Sequence, residues 1–283
     1  MQQIMPIPNV VALVARAWAE AEEATLRLLA QKHWDQDEEF VTELFRGEFR
    51  QSVQGLAETD AIGTAFLQDL HSQFPALMFR TELSWLATGV SATTTFHPRE
   101  VERRTGGDLG IVLLRPSVES GLYADTLEIH QDYARGILCQ AKVNQRPRKS
   151  GKAYWGGLTS RQKEVLPSRT RYLALLLYKY AEENRRSLLP FLWQVCEGVT
   201  VAEIEGWLKN DTFPDLWRSA NILEGLGDCT IGSDDPTVIE ELIAPRVRDA
   251  LVIRIGWPSE DPPPDTLTIA ESHRVRQRQV QAL

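Results

Sequence analysis

Cysteine is scarce in this 283-residue chain. The three present, Cys139, Cys196 and Cys229, are odd in number, far apart and in no C-x-x-C spacing. That excludes a disulfide framework or a zinc ribbon and points to a reducing compartment. The five histidines are scattered, with no pair at metal-ligand spacing. No stretch approaches the ~20 apolar residues needed to cross a bilayer. The amino terminus lacks the basic segment of a secretory signal and turns acidic after a short apolar run. A cytoplasmic protein with no membrane association is therefore expected. Nucleotide signatures are missing as well. Lys149-Ser150-Gly151-Lys152 has no upstream P-loop glycine, and there is neither a dinucleotide fingerprint nor a Gly-x-Ser-x-Gly elbow. An ATPase, a dehydrogenase and a serine hydrolase have no support, and no internal repeat suggests a solenoid.

What is present is the composition of an ordinary globule, 43% apolar and 25% charged, long enough for one large domain or two modest ones. Thirty-one basic against 39 acidic residues give −8, which at first sight argues against a nucleic-acid partner. The distribution says otherwise. Between Lys142 and Arg171 stand nine basic residues and one acidic residue, Glu164, a local charge of +8 that leaves −16 to the rest of the chain. Basic side chains so clustered suit a phosphate backbone, which they bind by releasing counterions. Arg146, Arg148, Lys149, Lys152, Arg161 and Lys163 are the candidate contacts. Tyr154 and Trp155, within the same segment, are candidates to stack on a base or pack on a sugar. The alternative is a solvated loop whose aromatics dock on the core.

Along the chain, Val11, Val14, Trp18, Ala21 and Leu28 recur at helical spacing, and Val41, Phe45, Phe49 and Val53 repeat every four residues. With a third helix from Thr59 to Ser72, residues 1–75 read as a helical N-terminal extension. Helical residues 75–88 stop at Gly89, and Thr-, Val- and Ile-rich strands follow at 91–96, 109–114 and 137–143. A Gly-, Pro- and Lys/Arg-rich loop over 144–169 leads to an apolar helix at 171–180 and a strand at 188–196. Helices near 200–209, 214–224 and 236–247 precede a strand from Leu251 to Ile255, and a proline-rich tail starts at Pro258. The expectation is an α/β (mixed α+β) fold, a central mixed sheet flanked by helices. Its divisions are 1–75, a core at 76–196 and an α/β C-terminal accessory region at 197–283.

Period-two alternation puts Ile137, Cys139, Ala141 and Val143 on one face of their strand and Gln140 and Lys142 on the other. Gly106 and Gly107 allow a tight turn that delivers Asp108 to the start of the strand at 109–114. If the two strands pair, Asp108 faces Gln140 and Lys142. A carboxylate, a second oxygen donor and a lysine are what metal-assisted phosphodiester hydrolysis needs, the lysine offsetting charge that develops on phosphate.

Thr105-Gly106-Gly107-Asp108-Leu109-Gly110 followed by Gln140-Ala141-Lys142 resembles the PD-(D/E)XK nuclease superfamily. The resemblance is to Mrr-like restriction endonucleases and bacterial defence nucleases with a D…QxK motif, over about residues 75–195. It implies a restriction-endonuclease-like α-β-β-β-α-β core in which Asp108 and Gln140 bind Mg²⁺ or Mn²⁺ and Lys142 assists the attack. A further carboxylate is implied from the helix before the first strand, where Glu82 borders the apolar face; Glu102 is its rival. The 31 residues between Asp108 and Gln140 require an insertion at about 115–135. The implied function is a metal-dependent DNA endonuclease in restriction or anti-phage defence, as a homodimer or a subunit of a larger complex. Gln140, standing where an acidic residue is usual, keeps a rival open: a catalytically weak or inactive nuclease-fold protein that binds DNA or acts as a scaffold in a defence or repair complex.

Overall fold

A computed structural model describes residues 2–4, 7–31, 38–58, 61–73, 90–96, 107–120, 127–145, 154–181, 188–243 and 249–255. The strands among them are β1 (Gln2–Ile4), β2 (Val90–Phe96), β3 (Leu109–Ser120), β4 (Leu127–Gln145), β5 (Tyr154–Trp155), β6 (Leu173–Tyr178), β7 (Leu192–Val195), β8 (Leu216–Arg218) and β9 (Asp249–Ile255). The helices are α1 (Pro8–Gln31), α2 (Glu38–Glu58), α3 (Ala61–Gln73), α4 (Ser160–Val165), α5 (Val201–Asn210), α6 (Ser219–Gly227) and α7 (Pro236–Ile243).

Seven strands form a mixed sheet in the order β2-β9-β3-β4-β6-β7-β8, with β1 pairing to β3 and β5 to β4. The β3/β9 and β4/β6 pairs are parallel and the others antiparallel. Helices cover both faces, as a mixed α/β layer requires. All three divisions of the sequence contribute to this sheet and its core. Helices α1 to α3 lie on it, and β8 and β9, from beyond residue 196, are strands of it.

On the first face, the odd-numbered residues Leu109, Ile111 and Leu113 of β3 and Ile137, Cys139, Ala141 and Val143 of β4 meet α1, α2, α3 and α6. The helical spacing read from sequence is the spacing that packs. Val11, Val14, Trp18, Ala21, Val41, Phe45, Phe49 and Val53 are all buried, although Leu29 rather than Leu28 continues the α1 stripe inward. Trp18 lies 4.8 Å from Phe45 and 4.9 Å from Phe49, ring centre to ring centre, a tilted arrangement that suits their quadrupoles. Asp69 of α3 accepts the backbone N–H of Asn9 and of Val10, so a carboxylate from one helix caps the orphan donors of another. On the second face, Val112, Leu138, Leu173, Leu175 and Leu177 pack against α5 and α7. Helix α7 comes so close that a Cβ on Gly110 would meet the Leu242 carbonyl oxygen at 2.7 Å.

Four expectations are corrected. Residues 171–180 are not a helix: Leu173–Tyr178 is strand β6, every residue of it buried. An unbroken apolar run reads alike as buried helix or buried strand, and a central position with both faces covered makes it a strand. The segment 144–169 is not a plain loop, because it contains β5 and α4. Thr159-x-x-Gln162 is the capping-box signature that announces α4, and both of its reciprocal hydrogen bonds are made. Within 214–224, residues Leu216–Arg218 form edge strand β8 before α6 begins at Ser219. Finally, the strands expected at 109–114 and 137–143 are longer, and they take up the described residues of the insertion expected at 115–135. Strands β3 and β4 continue as arms of one long antiparallel hairpin, with an irregularity between Arg115 and Ser117. The helix expected at 75–88 with Glu82, the candidate Glu102, and the tail from Pro258 lie outside the described residues.

Candidate active site

The β3/β4 register pairs Leu109 with Cys139, and the Asp108 N–H donates to the Cys139 carbonyl at 2.9 Å. Asp108 therefore stands opposite Gln140, and residues facing each other across a ladder share a face. That is the second face, with Gln140, Lys142 and Asn144 following at period two. Parallel pairing sets Gln140 beside Leu175 and Lys142 beside Leu177 of β6. All four polar residues are buried: Asp108 is 7% exposed, Gln140 0%, Lys142 5% and Asn144 2%.

Burial makes the hydrogen bonds decisive, since an unpaired polar group in such a place is costly. Asp108 Oδ2 accepts the Ala141 backbone N–H at 2.8 Å and a short hydrogen bond from Gln140 Nε2. Gln140 Nε2 also reaches the Ala141 carbonyl at 3.1 Å. Gln140 Oε1 accepts from Gln162 Nε2 of α4 at 2.8 Å, and Gln162 Oε1 accepts the Thr159 backbone N–H at 2.9 Å. Gln162 was not among the residues singled out in the sequence; its signal was the capping box with Thr159.

Behind the site, on the opposite face, the Cys139 thiol is pushed well up by burial and further by the Asp108 charge. Burial likewise raises Cys196 to about 12. Both remain protonated thiols at neutral pH, which argues against either as a nucleophile or metal-binding thiolate.

Among the described residues, no group of three or more His, Cys, Asp and Glu is placed to hold a metal ion. The donor chemistry of Asp108 nonetheless fits a hard divalent cation, being an anionic oxygen on a face where the other polar groups are amides and an ammonium. Gln140 fits less directly, because its oxygen is taken by Gln162 and it turns an N–H towards Asp108.

Of the residues expected to touch nucleic acid, Arg146, Arg148, Lys149 and Lys152 lie outside the described residues. Tyr154 is 49% exposed. It edges a groove of 480 Å³ that also involves Gly157, Gly206 and Lys209. Trp155 is buried; its indole donates to Asp211 at 2.8 Å and meets Phe213 edge-on. The core has claimed its ring, so it offers no stacking platform. Arg161 and Lys163 project from α4, paired with Glu164 and Glu205 respectively. Arg169 and Tyr172, which follow α4, both donate to Glu241 of α7, and Arg169 also donates to the Val165 carbonyl at the end of α4 at 2.7 Å.

Comparison with protein-family models, curated proteins and solved structures gives no match to this chain. Among the described residues, no helix is long and apolar enough to cross a membrane.

Proposed function

We propose that this protein is a metal-dependent DNA endonuclease of PD-(D/E)XK type, acting in restriction or anti-phage defence as a homodimer or within a larger complex. The observation that carries the reading is the meeting of Asp108 with Gln140 and the Ala141 N–H at the head of the β3/β4 pair, with Lys142 two residues on along the same face. The connection supports it too. Strands β2, β3 and β4 are followed, after the two-residue β5, by α4 and then by β6 parallel to β4, which apart from β5 is the β-β-β-α-β part of the order the resemblance implies.

Asp108, with Gln140 and Glu82 by the same resemblance, would hold Mg²⁺ or Mn²⁺. Such an ion supplies Lewis-acid polarisation of a phosphoryl oxygen and an activated water. The chain's own contribution is positioning and charge. The Ala141 N–H and the Gln140 amide fix the Asp108 carboxylate. Lys142 brings a positive charge into a poorly hydrated strand face, where it offsets charge developing on phosphate more effectively than it would in water. Arg161 and Lys163 on the outer side of α4 are the described candidates for the DNA backbone, where a phosphate would take the place of their carboxylate partners Glu164 and Glu205.

The test is plasmid nicking with Mg²⁺ by wild type, Asp108→Asn and Lys142→Ala. Wild type should nick and both variants should fall by at least about a hundredfold, the usual scale for losing one electrostatic group. Equal cleavage by all three proteins disposes of the assignment.

One observation favours a second reading, a nuclease-fold protein that binds DNA or scaffolds a complex without turnover. The Gln140 oxygen is engaged by Gln162 instead of being presented beside Asp108. Undiminished DNA retention with no Mg²⁺-dependent cleavage would select this reading.

A further inference from the structure

The side-chain orientations in the Thr159–Gln162–Gln140–Asp108 chain are fixed by its first member. A backbone N–H can only donate, so the Gln162 atom facing Thr159 is its oxygen. Its amide nitrogen must then point the other way, into the site, where it donates to Gln140 at 2.8 Å. Gln140 consequently turns its oxygen to Gln162 and its nitrogen to Asp108. Amide orientations are normally assigned from their surroundings, and here every neighbour gives the same answer. Gln162 is itself only 7% exposed, and Gln140 is fully buried. Water is poorly placed to replace either partner.

For Gln140 to present its oxygen on the Asp108 side, its nitrogen would have to oppose the Gln162 nitrogen, donor against donor. Gln162 cannot turn in response without giving up the Thr159 N–H. We infer that Gln162 is a positioning residue that latches the site. It holds Gln140 as a hydrogen-bond donor to Asp108 and thereby opposes capture of a divalent cation there. The latch rests on the reading of Asp108 as the metal-bearing carboxylate, and it makes the resting site weaker for metal than its residues alone would be.

The experiment measures Mn²⁺ binding to the full chain by electron paramagnetic resonance of the free ion, without DNA. Gln162→Leu and Gln162→Met each remove the donor while keeping side-chain bulk, and thermal melts establish that each is folded. Breaking one hydrogen bond should tighten Mn²⁺ binding by about three- to tenfold. The gain should vanish when Asp108→Asn is added, and also when Gln140→Met is added, because the liberated oxygen belongs to Gln140. A merely structural role for Gln162 predicts no gain in affinity. Equal or weaker binding by both variants, with wild type still binding, overturns the latch and leaves the nuclease reading intact. Absence of Mn²⁺ binding by wild type and variants alike overturns both.

Discussion

Glu22 is a buried carboxylate on α1 that joins three parts of the fold. It accepts the Phe191 backbone N–H at 2.7 Å and a short hydrogen bond from the Ser219 hydroxyl at the start of α6, while Trp193 of β7 donates to that hydroxyl at 2.9 Å. Glu22→Ala strands two buried donors, each costing about 1–3 kcal/mol. Relief from burying a carboxylate offsets part of that, so the expected net loss is about 2–4 kcal/mol. Glu22→Gln keeps an oxygen for Phe191 and gives Ser219 a donor instead of an acceptor, for a loss of about 1 kcal/mol at neutral pH. The two variants separate further with pH. Burial raises the Glu22 pKa above the ordinary 4.5, against the lowering effect of its hydrogen bonds. The folded protein therefore holds this proton more tightly than the unfolded chain. The resulting stability is complete below 4.5 and is lost as pH rises through the raised folded value. Glutamine has no such dependence. Urea denaturation followed by tryptophan fluorescence, from about pH 4.5 to pH 8, should show wild type losing ground to Glu22→Gln as pH rises. A wild-type-minus-Gln difference that is flat with pH, or a Glu22→Ala protein within about 0.5 kcal/mol of wild type, would refute the reasoning.

Two other outcomes follow from the hydrogen bonds. Asp108→Asn retains an acceptor for the Ala141 N–H and should unfold within about 1 kcal/mol of wild type, whereas Asp108→Ala leaves that N–H without an acceptor and should lose about 1–3 kcal/mol in urea. This is why Asp108→Asn is the cleaner variant for cleavage assays. Asp69→Ala removes the acceptor for the Asn9 and Val10 N–H groups and should cost about 1–2 kcal/mol, the scale of a lost helix cap, in the same titration.

Patterns set by local chemistry were legible in the residues. Helical spacing identified the buried side of α1 and α2, because 3.6 residues per turn leaves few other ways to bury Trp18, Phe45 and Phe49 together. Period two separated Cys139 and Ala141 from Gln140 and Lys142, and the Gly106-Gly107 pair pointed to Asp108 at the head of its strand. Six consecutive apolar residues at Leu173–Tyr178 carry no period, so only their neighbours β4 and β7 decide that they form a strand.

By itself, then, the sequence determined which side chains share a face, because backbone geometry repeats over two or 3.6 residues whatever surrounds it. Tertiary structure decided what those side chains meet. It spent Trp155 on the core through Asp211 and Phe213, and it inserted β9 from the far end of the chain between β2 and β3. It also brought Gln162, 22 residues beyond Gln140, to the oxygen that the D…QxK pattern would give to a metal. Hydrogen-bond direction is the physical reason. A donor or acceptor role in a buried amide is fixed by its partner, and the partner of Gln140 is chosen by the packing of α4 against the sheet.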